Sequence, residues 1–298
     1  MNKNIMTFRC KHRHSALSHP KCYIKFLSGD ISSIANKFPK VLLFDIETSP
    51  LSAYIFQKSI WKANVSDEQV ISEWFMLTWS AKWLFDDNII TERLTGKEAK
   101  DEDDSRIVGG LWKLLDEADI VIAHNGDGFD IPNMNTRFII LGFSPPSPYQ
   151  TIDTMLVARK QFGFTHNSLN ALARIFGFES KKDTDFDLWK RCVDGNEDAL
   201  KYMQEYNIGD TTLLERVYLK LRPWIRNHPN IGLYVESKEA VCPNCGSSDL
   251  AWVDEKFHYT QVSKFPLFVC KCGAYGRSRT SSVNKEVKKN LVVSLPVK

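Results

Sequence analysis

With 298 residues, 25% of them charged and 43% hydrophobic, and with no apolar run near the roughly 18 residues of a membrane span, the composition excludes a membrane-embedded or a disordered chain. The net charge of +3 is unevenly spread: residues 1–40 carry eight Lys and Arg against one acid, residues 238–298 carry ten against five, and the centre is left at −9. Basic flanks are the electrostatic footprint of a nucleic-acid binder, and an acidic centre suits carboxylates gathered for metal ions.

Residues 1–37 form a basic Cys/His-rich segment. Within it Cys10, His12, His14, His19 and Cys22 fall in thirteen positions, a density of zinc-type ligands whose spacing matches no common finger. Two readings stay open there, a zinc site and a basic loop with solvated histidines. The segment lacks the apolar core of a secretory signal, so a cytoplasmic protein is expected. The seven cysteines, mostly in close pairs, point the same way, to reduced thiolates rather than disulfides.

Residues 41–47, Val-Leu-Leu-Phe-Asp-Ile-Glu, read as a central strand closed by the Ser49-Pro50 turn. Side chains two apart on a strand point the same way, so Asp45 and Glu47 share a face. Two carboxylates held together call for a cation, and hard divalent ions such as Mg²⁺ take carboxylate oxygens. A strand is predicted over 54–61, another over 75–83 from its alternation, and a third over 89–94 after the Asp86-Asp87-Asn88 turn, giving an antiparallel meander. The acidic run 101–104 predicts a helix start, with the helix reaching about Ala118 and burying Ile107, Val108, Leu111, Leu114 and Leu115.

Residues 119–123 read as a short buried strand, followed by His124-Asn-Gly-Asp-Gly-Phe-Asp130 and a helix ending near Gly142. Asp130 stands where an N-cap would. A further helix is predicted to begin at 151–154 with Asp153 as its cap, and a small one within 166–178. Cys192 is read as buried packing. From Asn196 to Leu221 a long helix turns Met203, Tyr206, Asp210, Leu213, Leu214 and Val217 inward. Tyr206 and Asp210 are one turn apart, so phenol and carboxylate project to one place. Near the C-terminus, Cys242-Pro-Asn-Cys245-Gly and Cys270-Lys-Cys272-Gly predict a zinc ribbon, although the second pair is one residue tighter than the usual knuckle.

Asp45-x-Glu47, Asp130 and Tyr206-Asn-Ile-Gly-Asp210 together resemble the three motifs of the DEDD 3′–5′ exonuclease superfamily, in its tyrosine subclass. With the ribbon, the chain resembles stand-alone enzymes encoded by tailed bacteriophages, whose site of action would be the host cytoplasm. The resemblance implies an α/β fold, a ribonuclease-H-like mixed sheet flanked by helices, over residues 38–232. The ribbon would follow at 233–280 and a basic tail at 281–298. By the same resemblance Asp45, Glu47, Asp130 and Asp210 would ligate two Mg²⁺ or Mn²⁺ ions, and Tyr206 would position the attacking water. A phenol pKa near 10 makes tyrosine a poor base, so orientation is the role expected of it. Asn125 and Arg137 are candidate contacts to the scissile strand, with loop or helix packing as the alternative. The implied activity is hydrolysis at 3′ ends of single-stranded DNA, with replication or recombination proteins as partners, Zn²⁺ as a structural ion and no membrane association. An RNA-directed nuclease and an inactive nucleic-acid-binding module are the alternatives; the second is disfavoured because all four acids and the tyrosine are present.

Overall fold

The computed structural model describes residues 39–56, 65–178, 184–235, 237 and 239–295, so the 10–22 cluster and the 28–38 stretch lie outside the described residues. The chain divides into two compact units, Lys40–Leu221 and one that contains Arg222–Lys298. Among the described residues no helix is long and apolar enough to cross a membrane.

In the first unit β1 (Val41–Thr48) lies at the centre of a five-stranded mixed sheet. The two-residue β2 (Ser52–Ala53) and β3 (Val70–Ser72) pair with each other as a small separate ribbon. Of the strand expected at 54–61, Tyr54–Phe56 carry no strand and are exposed, and the rest lies outside the described residues. β4 (Met76–Trp83) and β5 (Ile90–Arg93) complete the antiparallel meander with β1. All of β4 except Trp83 is buried, so its alternation carried strand geometry but not a solvent face.

After α1 (Gly96–Lys100) and α2 (Ser105–Glu117), β6 (Ile120–Ala123) pairs parallel to β1. Next come α3 (Asp130–Ile140) and β7 (Gln150–Asp153), which runs parallel to β6. The sheet order is β5-β4-β1-β6-β7. The helix predicted from 151 thus begins only at Thr154: residues 150–153 are an edge strand too short to show a period. Asp153 does cap the following α4 (Thr154–Gln161), accepting from the N–H groups of Met155 and Leu156. α5 (Leu169–Ile175), α6 (Phe186–Val193) and the 25-residue α7 (Glu197–Leu221) finish the unit, α7 packing on β4 and β1.

The main core joins Leu42, Phe44 and Ile46 of β1 with Trp79 of β4, Leu111 and Leu115 of α2 and Met203 of α7. Trp79 satisfies its indole N–H on the Ile107 carbonyl at 2.7 Å, so a large ring is buried without an orphaned donor. The acidic run holds more than a helix start. Asp104 is fully buried, offers no side-chain cap to α2, and instead accepts from the Met76 N–H at 2.8 Å and from the Arg137 guanidinium. Strand β4 and helix α3 are thereby tied through one carboxylate.

Removing that carboxylate leaves Arg137 charged and buried, so Asp104→Ala should cost about 3–5 kcal/mol of stability. Urea unfolding monitored by circular dichroism would show this as an earlier midpoint. A midpoint equal to that of the parent would mean Arg137 finds another partner at no cost.

In the second unit α8 (Ile231–Val235) precedes a three-stranded sheet of β8 (Leu250–Tyr259), β9 (Lys264–Cys270) and β10 (Tyr275–Arg277), ordered β10-β9-β8, and α9 (Lys285–Lys289) follows.

A carboxylate cluster and a thiol cluster as candidate metal centres

Along β1 the side chains alternate as the sequence requires. Leu42, Phe44 and Ile46 enter the main core, while Asp45 and Glu47 turn to the other face and are half-buried. The ladder to β4 places Asp45 opposite Ser80 and Glu47 opposite Thr78, and a bulge follows directly between Glu47 and Thr48. Bulges re-aim side chains at the end of a strand, and this one lies beside the acidic pair. α7 supplies the third acid. Carboxylate oxygens of Asp45, Glu47 and Asp210 all lie within 4.8 Å of one another.

A polar seam fixes how α7 sits on the sheet. Ser80 donates to the Asn207 carbonyl at 2.7 Å and also meets the Thr211 hydroxyl, which in turn donates to the Ser80 carbonyl at 3.2 Å. Further along, Lys82 pairs with Glu215, which accepts the Phe85 N–H as well. Buried polar contacts of this kind are costly unless satisfied, so they select one register of helix on sheet. In that register the fully buried Asn207 donates from Nδ2 to Oδ2 of Asp45 at 2.7 Å. Tyr206 is buried one turn before Asp210 on the same helix.

Asp130 is the first residue of α3, with Phe129 in the N-cap position, so the capping role open to it in the sequence is not the one it takes. It is 3% exposed, and its Oδ1 accepts from the N–H of Ile46, the residue between Asp45 and Glu47, at 3.3 Å. Burial pushes its carboxyl up to about 7, opposed by the Ile46 and Asp130 N–H groups and reinforced by the charge of Asp153. Ionising it at neutral pH calls for a nearby positive charge.

The loop before it is held by Asp153, whose two oxygens accept from the N–H groups of Asn125 and Asp127. Asn125 adopts φ +70°, and a Cβ at Gly126 would come within 2.4 Å of the Ala123 side chain, so the turn closes only with glycine there. Asn125 is thus a loop-forming residue on the connection that carries Asp130. Arg137 is not brought to the cluster: it is buried against Asp104, with its guanidinium 5.8 Å from the Trp74 ring centre. For Arg137 the structure shows helix packing, the alternative to a strand contact, in the form of a buried ion pair.

Asn207 was not among the residues singled out in the sequence. The available signal was a polar side chain next to Tyr206 and three before Asp210, on the buried side of the helix. Groups that orient a metal ligand typically matter 10–100-fold to metal affinity or activity. Asn207→Ala should therefore weaken Mn²⁺ binding by about tenfold with the fold retained. Calorimetric titration would show it, and an affinity within twofold of the parent would leave Asn207 a packing residue.

In the second unit the ligand atoms of Cys242, Cys245, Cys270 and Cys272 also lie within 4.8 Å of one another. Gly246 and Gly273 follow the pairs at φ +70° and +88°, and their N–H groups close tight turns onto the Cys242 and Cys270 carbonyls. The Cys242 and Cys272 sulfurs are 3.8 Å apart and those of Cys245 and Cys270 3.6 Å, so one ion could reach all four. Four soft ligands in two turns over a small sheet are compatible with a zinc ribbon. Cys192, by contrast, is fully buried and its thiol is pushed up to about 12 by that burial, which makes it inert packing.

A family model of the RNase H superfamily matches residues 42–222. No curated protein matches the sequence. Among solved structures, the family B DNA polymerase from the hyperthermophilic archaeon Pyrobaculum calidifontis aligns at 13% identity with a TM-score of 0.42, over 76% of this chain and 32% of the polymerase. The chain therefore spans about a third of that polymerase's length.

Proposed function

The chain belongs to the RNase H superfamily, and from that premise we propose that it is a metal-dependent nuclease removing nucleotides from the 3′ end of single-stranded DNA, an exonuclease of the tyrosine-bearing DEDD type. One observation carries the reading. Three acids from a central strand and a long helix converge within 4.8 Å, with Asp130 one hydrogen bond from the same strand and Tyr206 one turn before Asp210.

The donor set is all carboxylate oxygen, the chemistry that suits hard divalent cations such as Mg²⁺ or Mn²⁺. Asp45, Glu47, Asp130 and Asp210 are the residues that would hold them. Two such ions, when bound, supply a lowered water pKa and charge stabilisation at the entering and leaving oxygens of an in-line phosphoryl displacement. The protein's own contribution is placement. Asn207 fixes the orientation of the Asp45 carboxylate, the Asp153-held loop presents Asp130, and the seam of Ser80, Thr211, Lys82 and Glu215 sets the position of Asp210. The Tyr206 phenol orients a water by hydrogen bonding rather than by taking its proton.

Tyr206→Phe removes one hydrogen bond and keeps the ring, so hydrolysis should fall roughly tenfold and not disappear. Single-turnover rates would measure it. An unchanged rate would return Tyr206 to the core.

The reading itself is tested by incubating the chain with 5′-labelled and 3′-labelled DNA and RNA, single- and double-stranded, with Mg²⁺ or Mn²⁺. Stepwise release of 5′-monophosphates from the 3′ end, fastest on single-stranded DNA, is expected. Internal cuts or release from the 5′ end would overturn the polarity, faster loss of RNA would overturn the substrate, and no hydrolysis would overturn the nuclease.

A further inference from the structure

We propose that one face of the C-terminal three-stranded sheet binds single-stranded nucleic acid, stacking bases on Tyr275 and His258 and holding a phosphate at Arg277. The choice of ligand rests on the nuclease reading above; the site itself rests on the geometry of this sheet.

Strand register divides the sheet into two unlike faces. On one face Gly276 pairs with Phe268 and Phe268 with Trp252, whose ring is 51% exposed. The Phe268 ring is 5% exposed, meets Trp252 edge-on at 5.7 Å, and lies across Gly276, where a Cβ would come within 2.1 Å of it. The other face carries the alternate residues. Tyr275 stands opposite Val269, Arg277 opposite Leu267, and His258 opposite Phe265. Tyr275 is 70% exposed, and Arg277 and His258 are exposed too, flanking a half-buried strip of Phe265, Leu267 and Val269.

The cation on this face is placed rather than loose. The Arg277 guanidinium lies 4.1 Å from the Phe265 ring centre, and the His258 ring is 6.4 Å from the same ring. Stacking on an aromatic face costs a guanidinium little of its capacity to donate outward, and Arg is the residue best suited to phosphate oxygens. Exposed rings beside such a cation match a ligand that alternates flat bases with phosphates. Residues 238–298 as a whole carry +5, the sign that ligand requires. A protein partner seated on the strip would have to bury Arg277 against it, a poor match unless it brought its own acid.

The test uses the full chain carrying Asp45→Ala, so that the ligand survives, and a fluorescein-labelled oligothymidylate followed by anisotropy. Tyr275→Ala and Arg277→Gln should each weaken binding about tenfold, the size expected for one lost stacked base or one lost phosphate contact. Tyr275→Phe should bind as the parent does, which separates loss of stacking from loss of fold. Tyr259→Ala, on the opposite face, should also leave the affinity within twofold. Unchanged affinity in both Tyr275→Ala and Arg277→Gln would overturn the proposal, as would an equal loss on duplex and single-stranded ligands. A chain that cuts DNA while these variants bind normally defeats the face alone. One that, with Asp45 intact, neither cuts nor binds defeats the nuclease reading.

Discussion

Asp45→Ala is expected to lower hydrolysis by about a thousandfold or more, the loss of several kcal/mol of charge stabilisation at the phosphoryl oxygens. The fold should survive. Asp45 is half-buried on the face of β1 opposite Phe44 and Ile46, so truncating it opens no hole in the main core. What it leaves behind is the Asn207 amide without its acceptor, a cost of about 1–3 kcal/mol. Rates on a 3′-labelled oligonucleotide, set beside urea unfolding of the same preparation, separate the two effects. Asp130→Ala should behave alike, because it removes the buried acid next to Ile46. Turnover at the parent rate in either variant would take that residue out of the site. A variant that is inactive because it is unfolded would show an early urea midpoint and say nothing for catalysis, so both readouts are needed.

The second large effect is expected at the thiol cluster. The purified chain should carry zinc at Cys242, Cys245, Cys270 and Cys272, and Cys242→Ser or Cys270→Ser should abolish that binding. Among the described residues, the buried cluster around these thiols contains, beyond the cysteines, only Ala274, with Leu250 packed on it, so metal ligation must supply much of what a core would. Structural zinc in small domains contributes an apparent 10–16 kcal/mol at neutral pH, enough to make folding of the ribbon depend on it. Hydrogen exchange should then show protection lost over β8, β9 and β10 on cysteine substitution, with protection kept over residues 40–221. Elemental analysis counts the ions: one equivalent is expected from this cluster, and two would implicate the Cys10–Cys22 segment as well. Zinc-free protein with a protected ribbon would overturn the assignment.

The order of the central strand, the long helix and the cysteine pairs was legible in the amino-acid sequence, because each is written in local periods. Alternation along 41–47 predicts which β1 side chains share a face, and a spacing of three and four along α7 predicts that Tyr206 and Asp210 point inward. Those two patterns already require an acidic pair on a strand and an acid with a phenol on a helix. Where the pattern was short, the reading went astray. Residues 150–153 are an edge strand of four, which no period can distinguish from a helix start.

Tertiary structure alone decided which polar groups meet. Asn207 reaches Asp45 across 162 positions, and Arg137 reaches Asp104 across 33. Neither pairing leaves a trace in the residues near it: Asp104 reads as a helix start, Arg137 as a strand contact or helix packing, and Asn207 does not stand out. Only when β1, β4 and α7 are packed does burial remove water as the alternative partner, and each of these side chains must then find its hydrogen bonds within the protein. That is why the sequence offers the candidate acids, while the fold decides which side chains hold them in place.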